Sequence, residues 1–203
     1  AFLTFASLKE GAESAPGQIS IRQMKEVYRW DHLSATCQVF GVVGSPIEHS
    51  MGPALHNEAF TAAKFDGIYL PLQVPPGWDS FRDFMDALRQ RDWLNVRGLS
   101  VTIPHKANAL RYVSENGGTV EALADRIGAI NTVILNADET LAGYNTDYAG
   151  ALAAVCSGMG IQPSELKGRR VGVLGAGGAA RAVVAGFAHH GAAVVIYNRT
   201  LER

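Results

Sequence analysis

Cysteine is scarce in this chain. Only Cys37 and Cys156 occur among 203 residues, and both lie in apolar segments without the paired spacing of metal ligands. That excludes a disulfide framework or a zinc cluster and points to buried thiols in a reducing cytosol. Neither sign of charge dominates: 18 Lys and Arg face 19 Asp and Glu, a net charge of −1. Such a balance gives no electrostatic case for nucleic acid or an anionic membrane. No apolar run is long enough to span a bilayer, the opening residues lack the pattern of a signal peptide, and no repeat or low-complexity tract appears. What is present is a chain with 47% apolar residues, enough for one large or two small domains.

A further lack is more specific. Val171–Leu174 reads as a short apolar strand, followed by Gly175-Ala176-Gly177-Gly178-Ala179-Ala180 and an alanine-rich helix to about His190. Gly175, Gly177 and Ala180 fill the special places of G-x-G-x-x-[GA], which serve a tight turn, a close approach to pyrophosphate, and close helix–strand packing. The helix N-terminus then offers N–H groups and a positive dipole end to phosphates. A second strand, Ala193–Tyr197, completes a β-α-β unit. At its end an NAD enzyme usually carries Asp or Glu for the ribose 2′-hydroxyl. Here stand Asn198, Arg199 and Thr200, then Arg203. Two arginines suit a 2′-phosphate, hence NADP, or else form a solvated turn. The chain stops one β-α-β into this sheet and opens abruptly on Ala1-Phe2-Leu3, so it reads as a fragment of a longer protein, inactive by itself.

Upstream, a strand at Phe2–Phe5 leads through a breaker-rich loop containing Ser14-Ala15-Pro16-Gly17-Gln18 to a helix capped by Ser20 and running to about Tyr28. These residues resemble the C-terminal end of type I 3-dehydroquinate dehydratase, in which such a loop closes over the substrate. The resemblance makes Ser14 and Gln18 substrate contacts; the catalytic lysine and histidine of that family would lie upstream.

Between Ala35 and Asn145 strands and helices alternate, which predicts an open α/β sheet. Strands are expected at Gln38–Val43, Ile68–Val74 and Arg97–Thr102, with a hairpin of Ile130–Leu135 and Leu141–Tyr144. The clearest helix is Ser80–Gln90, apolar at Phe81, Phe84, Met85 and Leu88, and Asp147–Met159 is the helix joining this region to the nucleotide fold. Four clusters carry polar residues that a core does not need. In Gly44–Asn57, Ser50 either grips a small anion or caps a helix. In Ser100–Lys106, Lys106 stands past the carboxyl end of a strand, where ligands bind, or is a solvated lysine in a first helical turn. His105 beside it reads as packed or solvent-facing, since no second ligand lies at useful spacing. Asn131, in Gly128–Thr132, stands at the start of the hairpin. In Gly143–Asp147, Asp147 caps the joining helix or faces a cleft between domains. Together these residues suit a small polyhydroxylated carboxylic acid.

In order and spacing, the four clusters and the glycine loop with Asn198-Arg199-Thr200 resemble shikimate dehydrogenase over Gln38–Arg203. With the tail upstream, the chain is similar to the junction of a bifunctional 3-dehydroquinate dehydratase–shikimate dehydrogenase. The resemblance implies three parts: a dehydratase remnant (1–34), an open α/β substrate-binding domain (35–146), and an incomplete Rossmann NADP-binding domain (147–203). It implies reversible, NADP-dependent reduction of 3-dehydroshikimate to shikimate in aromatic amino acid biosynthesis, in cytoplasm or, in a plant, the plastid. Lys106 and Asp147 become the catalytic pair, Ser50 the carboxylate contact, and Thr102, Asn131 and Asp147 the contacts to ring hydroxyls. Gly175 to Ala180 bind pyrophosphate, and Asn198, Arg199, Thr200 and Arg203 the 2′-phosphate; no metal is required. One position departs: Gly52 replaces the family's second serine, which opens the site to quinate. Two other readings stay open, a non-catalytic metabolite-binding relative and another Rossmann oxidoreductase. A lysine at the hydride site argues against the first, and the Ser50 and Lys106 clusters against the second.

Overall fold

The computed structural model describes residues 6–9, 11–15 and 18–199. The strand expected at Phe2–Phe5, the Pro16-Gly17 pair, Thr200 and Arg203 lie outside them. The described residues form an α/β fold of short strands and intervening helices, in two compact units. One unit holds residues 1–105 and 134–139, the other 106–133 and 140–203.

In the first unit, Ser20 caps helix α1 (Ile21–Glu26) with a reciprocal bond pair to Gln23. The helix stops two residues short of the expected Tyr28, because Val27 and Tyr28 both donate to Gln23 O and Arg29 turns left-handed, φ 58°. Strand β1 (Gln38–Gly44), helix α2 (Gly52–Ala62), strand β2 (Gly67–Gln73), helix α3 (Trp78–Arg89) and strand β3 (Val96–Val101) then follow. Strand β1 lies between β2 and β3, parallel to both. Helix α3 begins at Trp78 because Gly77, at φ 122°, breaks the chain just before it. Its apolar stripe buries Phe81 and Met85 completely. Asn57 of α2, 1% exposed, bonds both the N–H and the carbonyl of Tyr69 in β2, tying helix to strand through one side chain.

The second unit opens at helix α4 (Lys106–Glu115), followed by the two-residue strand β4 (Thr119–Val120) and helix α5 (Ala122–Ile127). The hairpin is β5 (Thr132–Leu135) with β6 (Leu141–Tyr144). Strand β5 starts two residues later than expected, and its last two residues count with the first unit, where it neighbours β3. Strand β4 pairs parallel with β6, which makes this sheet mixed. Helix α6 (Asp147–Met159) has the predicted bounds; Gly160, at φ 64°, ends it. Strand β7 (Arg170–Leu174), helix α7 (Gly178–His189) and strand β8 (Ala193–Tyr197) form the predicted β-α-β, β7 and β8 pairing parallel in register. Leu152 and Cys156 of α6 and Phe187 of α7 share a core with Leu166 and Ala192.

Candidate active site

In the first unit the polar residues gather at the carboxyl ends of β1 and β3, where open α/β sheets place ligands. Ser45 N–H donates to Ile103 O and Thr102 N–H to Val43 O, so the two loops leave their strands side by side. A side chain on Gly44 would collide with the Thr102 methyl, 2.4 Å from its Cβ position. Glycine at 44 is therefore what lets half-buried Thr102 stand over the end of β1. Ser50 is not the helix cap that one reading expected: α2 begins at Gly52 with Met51 as N-cap. Its hydroxyl oxygen nonetheless accepts the Gly52 N–H at 3.2 Å, so Ser50 and Gly52 form one half-buried polar corner. Beneath it stands Tyr69, a residue the sequence did not single out. A Cβ on Gly52 would come 3.1 Å from the Tyr69 ring and 3.2 Å from Ser50 Oγ. Burial holds the Tyr69 phenol above its usual range, against the opposing pull of its hydrogen bond with Ser100. His56 sets its ring edge-on to Tyr69 at 4.1 Å, and burial keeps that imidazole below its usual range. His105, fully buried, bonds Val74 O at 2.9 Å and stacks on Phe81, the packed alternative for this residue.

In the second unit Lys106, Asn131 and Asp147 converge. Lys106 opens α4 and Asp147 opens α6, and Lys106 Nζ donates to Asp147 Oδ2 at 2.5 Å. The other carboxylate oxygen, Oδ1, accepts from Asn131 Nδ2 at 2.8 Å. Asn131 Oδ1 accepts the Thr146 N–H, fixing the amide's orientation. Lys106 O accepts the Ile130 N–H at 3.1 Å, so the backbones on either side are joined as well. The ion pair keeps some exposure, 20% and 26% of the two side chains. Asp147 does not cap α6, whose N-cap is Thr146. Its carboxylate is committed to Lys106 and Asn131 instead.

The glycine loop lies between β7 and α7. Gly175, at φ 103°, takes a conformation that side-chain-bearing residues rarely adopt and donates to Tyr197 O at 2.8 Å. Gly177 is the N-cap of α7, with no side-chain cap bond and no acid in the first turn. A Cβ on Gly177 or Gly178 would meet nothing within 4 Å, so packing does not demand glycine there. A helix N-terminus without a side-chain cap could hold a pyrophosphate on its N–H groups. Arg199 is exposed just beyond β8 and Asn198 half-buried beside it. Among the described residues no cluster could hold a metal, and no helix is long and apolar enough to cross a membrane.

Residues 42–133 match the shikimate dehydrogenase substrate binding domain, and residues 1–35 match type I 3-dehydroquinase. A bifunctional 3-dehydroquinate dehydratase/shikimate dehydrogenase of Arabidopsis thaliana, described as chloroplastic, is 38% identical over all of this chain and 33% of its own length. A shikimate dehydrogenase (NADP(+)) of Halothermothrix orenii is 40% identical over 82% of this chain and 53% of its own. A crystal structure of shikimate dehydrogenase in complex with NADP+ superposes with a TM-score of 0.73 at 34% identity, over 84% of this chain and 54% of that one. The chain thus spans a third to about half the length of these relatives.

Proposed function

We propose that this chain, similar to shikimate dehydrogenases in sequence and fold, carries the substrate domain and the opening of the cofactor domain of an NADP-dependent shikimate dehydrogenase. Residues 1–34 are then the last part of a type I dehydratase, 35–146 the substrate domain and 147–203 the start of the Rossmann domain. The matches at 1–35 and 42–133 support that division. The reaction is reversible reduction of the 3-dehydroshikimate ketone to shikimate. The chloroplastic relative supports a plastid location in a plant; otherwise the balanced charge and unpaired cysteines suit the cytoplasm.

The observation that carries the reading is the Lys106–Asp147 pair at 2.5 Å, steadied by Asn131. NADPH supplies the hydride when bound, held by Gly175–Ala180 and by Asn198 and Arg199, with Thr200 and Arg203. As a carbonyl carbon accepts hydride, its oxygen gains negative charge. An ammonium has three hydrogens and gives one to Asp147. The others are suited to the developing alkoxide, which they stabilise before a proton completes the hydroxyl. Asp147 holds Lys106 in place and, with Asn131 and Thr102, accepts or donates to ring hydroxyls. Ser50 and the amides at the start of α2 take the carboxylate.

The test is shikimate-dependent reduction of NADP+ by the full-length protein, with calorimetric binding of shikimate alongside. Turnover supports the reading. Binding without turnover points to a metabolite-binding relative, and neither points to another oxidoreductase.

Gly52 favours quinate as a second substrate. Quinate bears an extra hydroxyl on the carbon that carries the carboxylate, and a side chain at 52 would fill the corner between Ser50 Oγ and Tyr69. In Gly52→Ser the ratio of kcat/KM for quinate over shikimate is expected to fall about tenfold, the worth of one hydrogen bond gained or lost. The ratio is the right measure, because any general loss from displacing Tyr69 divides out. An unchanged ratio, or no quinate turnover by the unaltered protein, would remove Gly52 from specificity.

A further inference from the structure

Two residues outside the set just described grip the chain on both sides of Asp147. Tyr148 follows it in the first turn of α6, and its ring packs on the cluster of Leu123, Ile127 and Ala182. Helix α7 comes so close that a Cβ on Gly186 would lie 2.9 Å from the Tyr148 Cβ, so glycine is needed at 186 to seat the tyrosine. The Tyr148 hydroxyl donates a short hydrogen bond to Glu121 Oε1. The second oxygen of the same carboxylate accepts the Asn145 N–H at 3.3 Å. One carboxylate therefore holds the residue two before Asp147 and the residue one after it. Glu121 is itself anchored, its N–H donating to Gly143 O at 3.0 Å. Asn145, 2% exposed, completes the frame: its amide donates to Ala129 O and its oxygen accepts the Asp147 N–H at 3.0 Å.

We propose that Glu121 and Tyr148 are positioning residues, a latch that fixes the entrance of α6 and so holds the Asp147 carboxylate where Lys106 and Asn131 meet it. A helix's first turn frays readily, and α6 has no side-chain cap at Thr146. A hydroxyl–carboxylate bond is charge-assisted and stronger than a neutral one, which suits it to close that end. The direction of donation agrees with the chemistry. The bond to Glu121, then burial, then the Glu121 charge hold the phenol above its usual range, so it keeps its proton. The latch works through Asp147 and touches no substrate. Its catalytic consequence rests on the dehydrogenase reading; its mechanical consequence does not.

The test has two arms, with Tyr148→Phe, Glu121→Ala and Glu121→Gln. The first is amide hydrogen exchange at Thr146 and Asp147, whose N–H groups are bonded within the frame. Tyr148→Phe and Glu121→Ala are expected to speed it about tenfold, with the middle of α7 unchanged. The second is kinetics in the full-length protein. For the same two variants kcat is expected to fall on the order of tenfold, with a smaller change in KM. Glu121→Gln, which keeps an acceptor oxygen, should restore most of the rate. On an Asp147→Asn background Tyr148→Phe should add little. Unchanged exchange at 146 and 147 overturns the latch. Losses that add fully to that of Asp147→Asn, or a lowered Tm with kcat intact, overturn its role in catalysis. Inactivity of the unaltered protein toward shikimate would instead sink the proposed function and leave the exchange arm to judge the latch.

Discussion

Alanine in place of Lys106 lowers kcat by about 10²–10³-fold and leaves the KM for shikimate within a few-fold, in the expected outcome. The asymmetry follows from when the charge appears. A ground-state ketone is neutral, and an ammonium gains little from it beyond an ordinary hydrogen bond. Once hydride arrives, the oxygen carries negative charge, and the same ammonium contributes its full electrostatic effect. Asp147 holds the lysine at 2.5 Å, so the ammonium is in place before that charge develops. Alanine also leaves Asp147 without its cation, so part of the loss is a displaced carboxylate. The control is Lys106→Met, which keeps the bulk of the stem. Steady-state kinetics with both substrates decide: an unchanged kcat with a raised KM would move Lys106 to a binding role.

Arg199→Ala is expected to raise the KM for NADP by about 10–100-fold and to leave NAD nearly unaffected. Each charge-assisted contact to the 2′-phosphate contributes about 1.5–3 kcal/mol. Arg199 lies exposed just past the end of β8, where Asp or Glu would otherwise hold a ribose hydroxyl. Equal loss for both cofactors would show that Arg199 supports the turn rather than the phosphate. Salt should narrow the difference, since an exposed pair is screened.

The elements the sequence revealed are those whose ends are chemically marked. Helix α6 runs between a polar loop and Gly160, and both of its bounds were legible. The β7–α7–β8 unit was legible for the same reason, through its glycines and two short apolar runs. Strand β4 is only two residues long and pairs with β6 across intervening chain, so it leaves no periodic trace. The site divides similarly. Lys106, Asn131 and Asp147 could be nominated because they sit at strand and helix ends. Ser50 was nominated too, but its choice between cap and anion grip turned on which residue begins α2, and helix ends are the least legible feature of a sequence. Glu121 and Tyr148 were missed: their bond joins residues 27 apart, and neither type is unusual where it stands. A tyrosine directly after the candidate acid was the one available clue.

The left-handed turn at Arg29 lies in the stretch that matches type I 3-dehydroquinase, yet its side chain fastens a strand in the stretch that matches the shikimate dehydrogenase substrate binding domain. Arg29 is 8% exposed, and its guanidinium donates to Phe65 O and Gly67 O, the carbonyls where the chain enters β2. Strand β2 lies at the edge of its sheet, next to β1 alone. The match to the dehydratase nevertheless extends to residue 35, past Arg29. Sequence likeness and architecture are therefore divided at different places: a residue within the upstream match holds a strand within the downstream one. A cut after residue 35 would strip that fastening from an edge strand and leave its carbonyls open to unwanted strand addition.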